Sequence, residues 1–331
     1  MKKTIYLSSS GELKRKDNTL FFVDSNEKRK YIPVEDTQEI MVFGELTLNK
    51  DLLEFLSQNE IIMHFYNYYG YYTGSYYPRE HLNSGHMILM QSQHYLEQSK
   101  RIELAKLFVK GAVANMLKVL QYYNRRQIDL AGIIGNMESL GEKVDNVEST
   151  DELLGIEGNA REYYYKAFDS IIDDPEFAFE ARTRRPPKNR LNALISFANS
   201  MIYTSALSEI YKTHLDPRIG FLHTTNFRRF SLNLDVAEIF KPIIADRLIF
   251  TLLNKKMISA NDFEEGTQGI ALKDKGRNTF LQQFDEKMKT TVKYQSLNKE
   301  VSYRMLIRLE LYKIEKHLIG EKNYEPLVAS W

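Results

Sequence analysis

Residues Asn192–Thr213 constrain the fold more than any other stretch of the chain. Leu194, Phe197, Ala198, Met201, Ile202, Ser205, Leu207 and Ile210 put apolar and small side chains around most of a helical circumference. A helix that is apolar on nearly every side is stable only when other elements cover it. The pattern therefore predicts a central buried helix, a rigid wall against which a ligand can be held.

The shell has to come from the rest of a 331-residue chain, long enough for two domains. The first part is strand-like. Thr4–Leu7, Glu12–Lys16, Thr19–Val23, Lys30–Val34, Glu39–Val42, Ile61–Tyr66 and Tyr71–Tyr77 read as strands, with Asp17-Asn18 as a hairpin turn. Asn49 caps a short helix, Lys50–Gln58. Seven tyrosines between Tyr66 and Tyr77 predict either cross-strand aromatic pairs or a surface that packs on a second subunit. Pro78 to Gly85 reads as a linker. Helical periodicity then dominates, at Met87–Tyr123 with a bend at Gly111, Gln127–Met137, Glu157–Ile172, Asn192–Thr213, Leu234–Leu253, Thr279–Thr290 and Leu297–Leu318. Tyr324–Trp331 reads as a tail. The expected fold is a multidomain α+β protein, with a small β-rich domain with one helix at 1–84 and a larger all-α domain at 85–331.

Composition narrows the chemistry. There is no cysteine, which excludes disulfides, thiolate metal sites and cysteine nucleophiles, and fits a cytoplasmic location. No apolar run reaches the ~18–20 residues of a membrane span. The net charge of +1 carries no hint of a polyanionic partner, so any such argument rests on local clusters.

Those clusters flank the central helix. Ala181–Arg190 holds five cations and two prolines, a stiff basic loop that is either solvated or a phosphate-binding arm. Arg182, Arg184, Arg185 and Lys188 are the candidate contacts, with Arg228 and Arg229 next to Phe227, and Arg125-Arg126 farther off. His223, Asp235 and Glu238 supply an imidazole and two carboxylates, ligand types for Mg2+ or Mn2+. Asp235 and Glu238 share a helix face, which suits metal binding or a capping box with Asp235 as N-cap. His223 alone reads equally as a structural residue. Glu157 lies in Gly155–Arg161 at the expected start of a helix, between two glycines that allow close approach of a backbone or phosphate. Metal-assisted phosphodiester chemistry and a non-catalytic DNA-binding scaffold both remain open on the residues alone.

The order of these motifs resembles the CRISPR-associated protein 1 family over the whole chain. Ile5-Tyr6-Leu7 and Gly44–Asn49 resemble its β domain, and Gly155–Arg161 its first acidic motif. Arg184–Pro187 with Asn192–Leu194 resembles its basic loop and central helix, Leu215–Pro217 with Gly220–His223 its histidine motif, and Ser231-Leu232 with Asp235–Pro242 its second acidic motif. The resemblance implies a DNA integrase and endonuclease that inserts protospacer DNA into a CRISPR array by attack of a 3′-OH on a repeat-end phosphate. It implies a Mg2+ or Mn2+ site at Glu157, His223 and the Asp235/Glu238 pair, without saying which carboxylate touches the metal. It further implies a homodimer, CRISPR-associated protein 2 as bridging partner, and no membrane association. Lys241 stands where many members have Arg, keeping the charge but not the two-pronged fork, and joins the candidate DNA contacts.

Overall fold

The computed structural model describes all residues except 1, 79–81, 83, 225–229, 267–268, 295–296 and 331. The N-terminal region runs β1 (Lys3–Leu7), β2 (Gly11–Lys16), β3 (Thr19–Asp24), β4 (Arg29–Ile32), β5 (Thr37–Val42), β6 (Leu46–Thr47), α1 (Lys50–Gln58), β7 (Ile62–Tyr66) and β8 (Tyr72–Tyr76). The strands form two sheets, β1-β5-β7-β8 and β4-β3-β2-β6. Lys16 pairs with Thr19 across the Asp17-Asn18 turn. There Asp17 takes φ 53°, the positive φ that such a turn requires. β4 stops at Ile32 rather than Val34, because Pro33 has no N–H to continue a ladder. Leu7, Leu13, Leu20, Ile32, Ile40, Leu52, Leu56 and Met63 fill the core of this region.

Part of the expected linker, residues 79–81 and 83, lies outside the described residues. Ser84 then caps α2 (Gly85–Leu96) by accepting from the Met87 amide. Next come α3 (Gln98–Asn124), α4 (Ala131–Lys143), α5 (Thr150–Lys166), α6 (Phe168–Ile172), α7 (Arg190–Ile210), α8 (Leu232–Phe240) and α9 (Arg247–Asn254). A hairpin of β9 (Phe263–Gly266) and β10 (Gly269–Leu272) leads to α10 (Asp274–Lys289). Another, β11 (Thr291–Tyr294) and β12 (Lys299–Ser302), leads to α11 (Tyr303–Leu318).

Several expectations need correction. The single helix expected from Met87 to Tyr123 is two, because Glu97 turns extended at φ −83°, ψ 103°. Gly111 does not break the helix. It lies inside α3, where a Cβ would come within 2.7 Å of Pro326 Cβ. The all-α expectation misses the two hairpins. The expected helix Leu234–Leu253 is interrupted, because Pro242 lacks an amide hydrogen, and the chain widens into a π-helical turn at Pro242–Asp246. Asp246 N–H there donates to Lys241 C=O at 3.0 Å. The expected C-terminal tail is docked. Tyr324 is buried and donates its hydroxyl to Glu310 at 2.6 Å, and Asn115 of α3 bonds the backbone of Leu327 and Ala329.

α7 is central, as its composition requires. Every residue of it except Arg190 and Tyr203 is buried. It also carries the seam to the N-terminal sheet. Glu39 of β5 pairs with Arg304 at 2.6 Å and accepts from Thr4 and from Ser208 of α7. His64 of β7 sits between Ser75 and Ser208 at 2.6 and 2.7 Å. Burial lowers His64 to about 4, against the pull of Glu39. Burial raises Glu39, but Arg304, Lys212 and His64 outweigh it and bring it to about 2. Below the ordinary pKa of each group the unfolded chain therefore binds the proton that the folded seam refuses. Stability rises with pH across both windows and is lost on acidification. The urea midpoint is expected to fall between about pH 7 and about pH 4. A midpoint that does not move would contradict the buried neutral His64.

The expected tyrosine surface is mostly used within the chain. Tyr66 pairs with Tyr72 across the hairpin, Tyr77 packs on Tyr211 of the helical region, and Tyr71 reaches the basic loop.

Candidate active site

The site is built where the loop after α7 folds back onto the start of α8. Pro217 C=O accepts from the amides of Ser231 and Leu232, tying loop to helix. Ser231 Oγ accepts from Gly220 N–H at 2.8 Å and donates to Arg218 C=O at 2.8 Å. Gly220 is required here, since a Cβ would stand 2.7 Å from the Ser231 carbonyl carbon and 2.8 Å from Asp235 Oδ2.

Asp235 is consumed by that loop. Its Oδ2 accepts from the amides of Phe221 and Leu222 at 2.6 and 3.1 Å. Its Oδ1 accepts from the His223 amide at 2.9 Å and from His223 Nδ1 at 2.8 Å. Ser231, not Asp235, is the N-cap of α8, so the capping-box reading fails. A carboxylate with four donors anchors the loop and fixes the histidine, leaving Nε2 as the nitrogen with a lone pair to offer. Burial lowers the His223 pKa, but the bond and charge of Asp235, with smaller contributions from Glu238 and Glu157, raise it overall.

Glu238 follows one helical turn later and points elsewhere. Lys241 Nζ lies 2.7 Å from each of its oxygens, and Arg161 Nη2 donates to Oε2. Arg161 Nε donates to Glu157 Oε1 at 3.1 Å. α5 begins at Thr150, capped by Ser149, so Glu157 stands two turns inside the helix rather than at its start. A Cβ on Gly155 or Gly158 would meet no neighbour, so these glycines face open space. Burial and then the charge of Glu238 raise the Glu157 pKa. Burial would raise Glu238 too, but Lys241, Arg161 and His223 lower it strongly.

Glu157, Glu238 and His223 thus feel one another's charge, whereas Asp235 is turned into the loop. Among the described residues no three His, Asp or Glu side chains form a ready-made metal cluster. Arg161 and Lys241 supply the positive charge instead. The donor types still fit a divalent ion, with a buried and a half-buried carboxylate from separate helices and an oriented imidazole.

Sequence reasoning missed three neighbours. Arg161 was four residues after Glu157, an i,i+4 ion-pair spacing. Tyr203 is one of two α7 residues left unburied, and its hydroxyl accepts from Lys241 at 3.2 Å. Asp246 is buried, and neither of its oxygens has an ordinary hydrogen bond. Burial raises it to about 6, against Arg161 and Lys241.

The basic loop lies alongside. Arg182 is half-buried and donates to Asn192 Oδ1 at 2.9 Å and Ser196 Oγ at 3.0 Å on α7. Among the described residues no carboxylate is one of its hydrogen-bond partners, and burial lowers its pKa. Arg184, Arg185 and Lys188 are exposed. Tyr71 holds this stretch, donating to Arg184 C=O at 2.8 Å with Arg185 5.1 Å over its ring. Arg228 and Arg229 lie outside the described residues. Lys241, expected as a DNA contact, is instead buried on Glu238.

The chain matches the family described as CRISPR associated protein Cas1 over residues 5–286. The CRISPR-associated endonuclease Cas1 2 of Thermodesulfovibrio yellowstonii is 60% identical over 331 residues, all of both chains. The solved structure of a CAS1 protein from Thermotoga maritima is 49% identical, with a TM-score of 0.89 over 98% of this chain and 99% of that one. The fold alone is shared at greater distance with two further structures. A casposase bound to integration product is 21% identical, with a TM-score of 0.88 over 98% of this chain and 92% of that one. A chain of a Cas6-RT-Cas1–Cas2 complex is 17% identical, with a TM-score of 0.85 over 100% of this chain and 36% of that one.

Proposed function

The chain belongs to the CRISPR associated protein Cas1 family, and from that premise we propose that it is a metal-dependent DNA endonuclease and integrase. The observation that supports the reading is that Arg161 bridges Glu157 of α5 and Glu238 of α8, beside a His223 ring held by Asp235 and near enough to feel both charges. Glu157, Glu238 and His223 Nε2 would hold a Mg2+ or Mn2+ ion. Such an ion, when bound, acts as a Lewis acid on a phosphate oxygen and lowers the barrier to attack.

The chain's own residues do the rest. Asp235 fixes the His223 ring through Nδ1, which leaves Nε2 as the nitrogen that would bind an ion. Lys241 and Arg161 orient Glu238, and Tyr203 steadies Lys241. Arg182, held by α7 without an acidic partner, grips a backbone phosphate beside the reacting bond. Arg184, Arg185 and Lys188 extend that contact along the strand.

In integration a protospacer 3′-OH forms the new P–O bond, and the repeat strand leaves with the old one. In cleavage, water takes the place of the 3′-OH. The relatives' names support the nuclease, and the casposase and Cas1–Cas2 structures of the same fold support integration and a second protein as partner. A homodimer bridged by CRISPR-associated protein 2 in the cytoplasm completes the reading. Among the described residues no helix is long and apolar enough to cross a membrane.

The test is to incubate the protein and that partner with a repeat-containing plasmid and a short duplex, with Mn2+ or Mg2+. Covalent incorporation of the duplex at the repeat ends is expected. Degradation alone would reduce the protein to a nuclease, and metal-independent binding without product would reduce it to a scaffold. For the loop, Arg184→Ala with Arg185→Ala is expected to weaken DNA binding and to lower the slope of log K against log salt by about 1–2 units. An unchanged slope returns these residues to solvent.

A further inference from the structure

Arg161 stands among three carboxylates and is shared unequally between them. Nε donates to Glu157 and Nη2 to Glu238. Nη1 is buried with no hydrogen bond, 4.0 Å from Asp246 Oδ2. Neither Asp246 oxygen has an ordinary hydrogen bond although the residue is 1% exposed, and the buried Tyr164 hydroxyl is close enough to act on it as a weak hydrogen-bonding neighbour. Buried polar atoms are almost always paired, so facing orphans on a cation and an anion need a cause. The π-helical turn at Pro242–Asp246 provides the placement, since the widened backbone carries Asp246 under Arg161.

We propose that Asp246 is a positioning residue, the alternative seat for Arg161 when a divalent ion takes Glu157 and Glu238. The inference rests on the metal reading of that site. Without an ion, the guanidinium neutralises the two glutamates. An arriving ion brings two positive charges to the same carboxylates and repels it. Closing the 4.0 Å gap by about 1 Å would give Nη1 an ordinary N–H···O bond to Asp246. The cation then stays buried and paired, avoiding the cost of a stranded charge. Lys241 has a lesser alternative in the Tyr203 hydroxyl. Asp246 therefore sets how readily the site yields its carboxylates to metal.

The test is Mn2+ titration of the full-length protein, followed by calorimetry. Asp246→Asn is expected to raise the Mn2+ Kd about tenfold or more, because Arg161 loses its other anion. In an Arg161→Gln background the same substitution is expected to have no further effect. Unchanged affinity in Asp246→Asn overturns the inference. So does an equal loss in both backgrounds, which would mean that Asp246 acts without Arg161. A Mn2+-bound crystal structure of the unsubstituted protein gives a second readout independent of the variants' folding. Arg161 Nη1 bonded to Asp246 supports the inference, and Arg161 still on Glu238 overturns it. If the unsubstituted protein binds no Mn2+, the metal reading itself fails and this inference with it.

Discussion

Glu157→Gln is expected to lower metal-dependent DNA cleavage and strand transfer by about a hundredfold or more, with little change in folding stability. The two halves of that expectation have separate causes. The amide keeps the shape of the side chain but gives up the negative charge that a divalent ion needs. The fold loses little, because Glu157 is already pushed toward its neutral form by burial and by Glu238. Arg161 also keeps its stronger partner, Glu238. His223→Ala should act on activity in the same direction, since it removes an imidazole that feels the charge of both glutamates. Full activity of Glu157→Gln with either metal would take Glu157 out of the site.

Glu238→Ala is expected to be a different kind of loss. It should abolish activity and also cost about 3–5 kcal/mol of stability, the cost of stranding a buried charge. Glu238 is 4% exposed and holds Lys241 through both oxygens and Arg161 through one. Removing it leaves Lys241, 5% exposed, with only a phenolic oxygen at 3.2 Å. Urea unfolding without metal reads this directly. A stability within about 1 kcal/mol of the unsubstituted protein would mean that Lys241 reaches water easily, and that the pair is a surface contact.

The contrast between the glutamates shows what the sequence could and could not reveal. The motifs, their order and the buried central helix were legible, because composition and spacing carry them directly. The roles of Asp235 and Glu238 were not. An i,i+3 pair shares a helix face, and only the path of the loop at Gly220–His223 shows which one it covers. The start of α5 was misread although the signal was present. Ser149 and Glu152 form the Ser-x-x-Glu pattern of a helix N-terminus, and Ser149 bonds both the Glu152 amide and its carboxylate. The role of Lys241 was read from its charge, but burial turned that charge inward to Glu238. Asp246 was invisible for another reason. It falls in register only because Pro242 opens a π-helical turn, which no helical periodicity predicts. The two hairpins near α10 were hidden by strands of four residues, too short to establish a period.

The central claim is that Glu157, His223 and Glu238 hold one divalent ion. Mn2+ titration of the intact protein tests it most directly, read by calorimetry alongside the Glu157→Gln and His223→Ala variants. One Mn2+ per chain is predicted for the unsubstituted protein, with binding weakened about tenfold or more in each variant. Undiminished Mn2+ binding in both variants would contradict the claim.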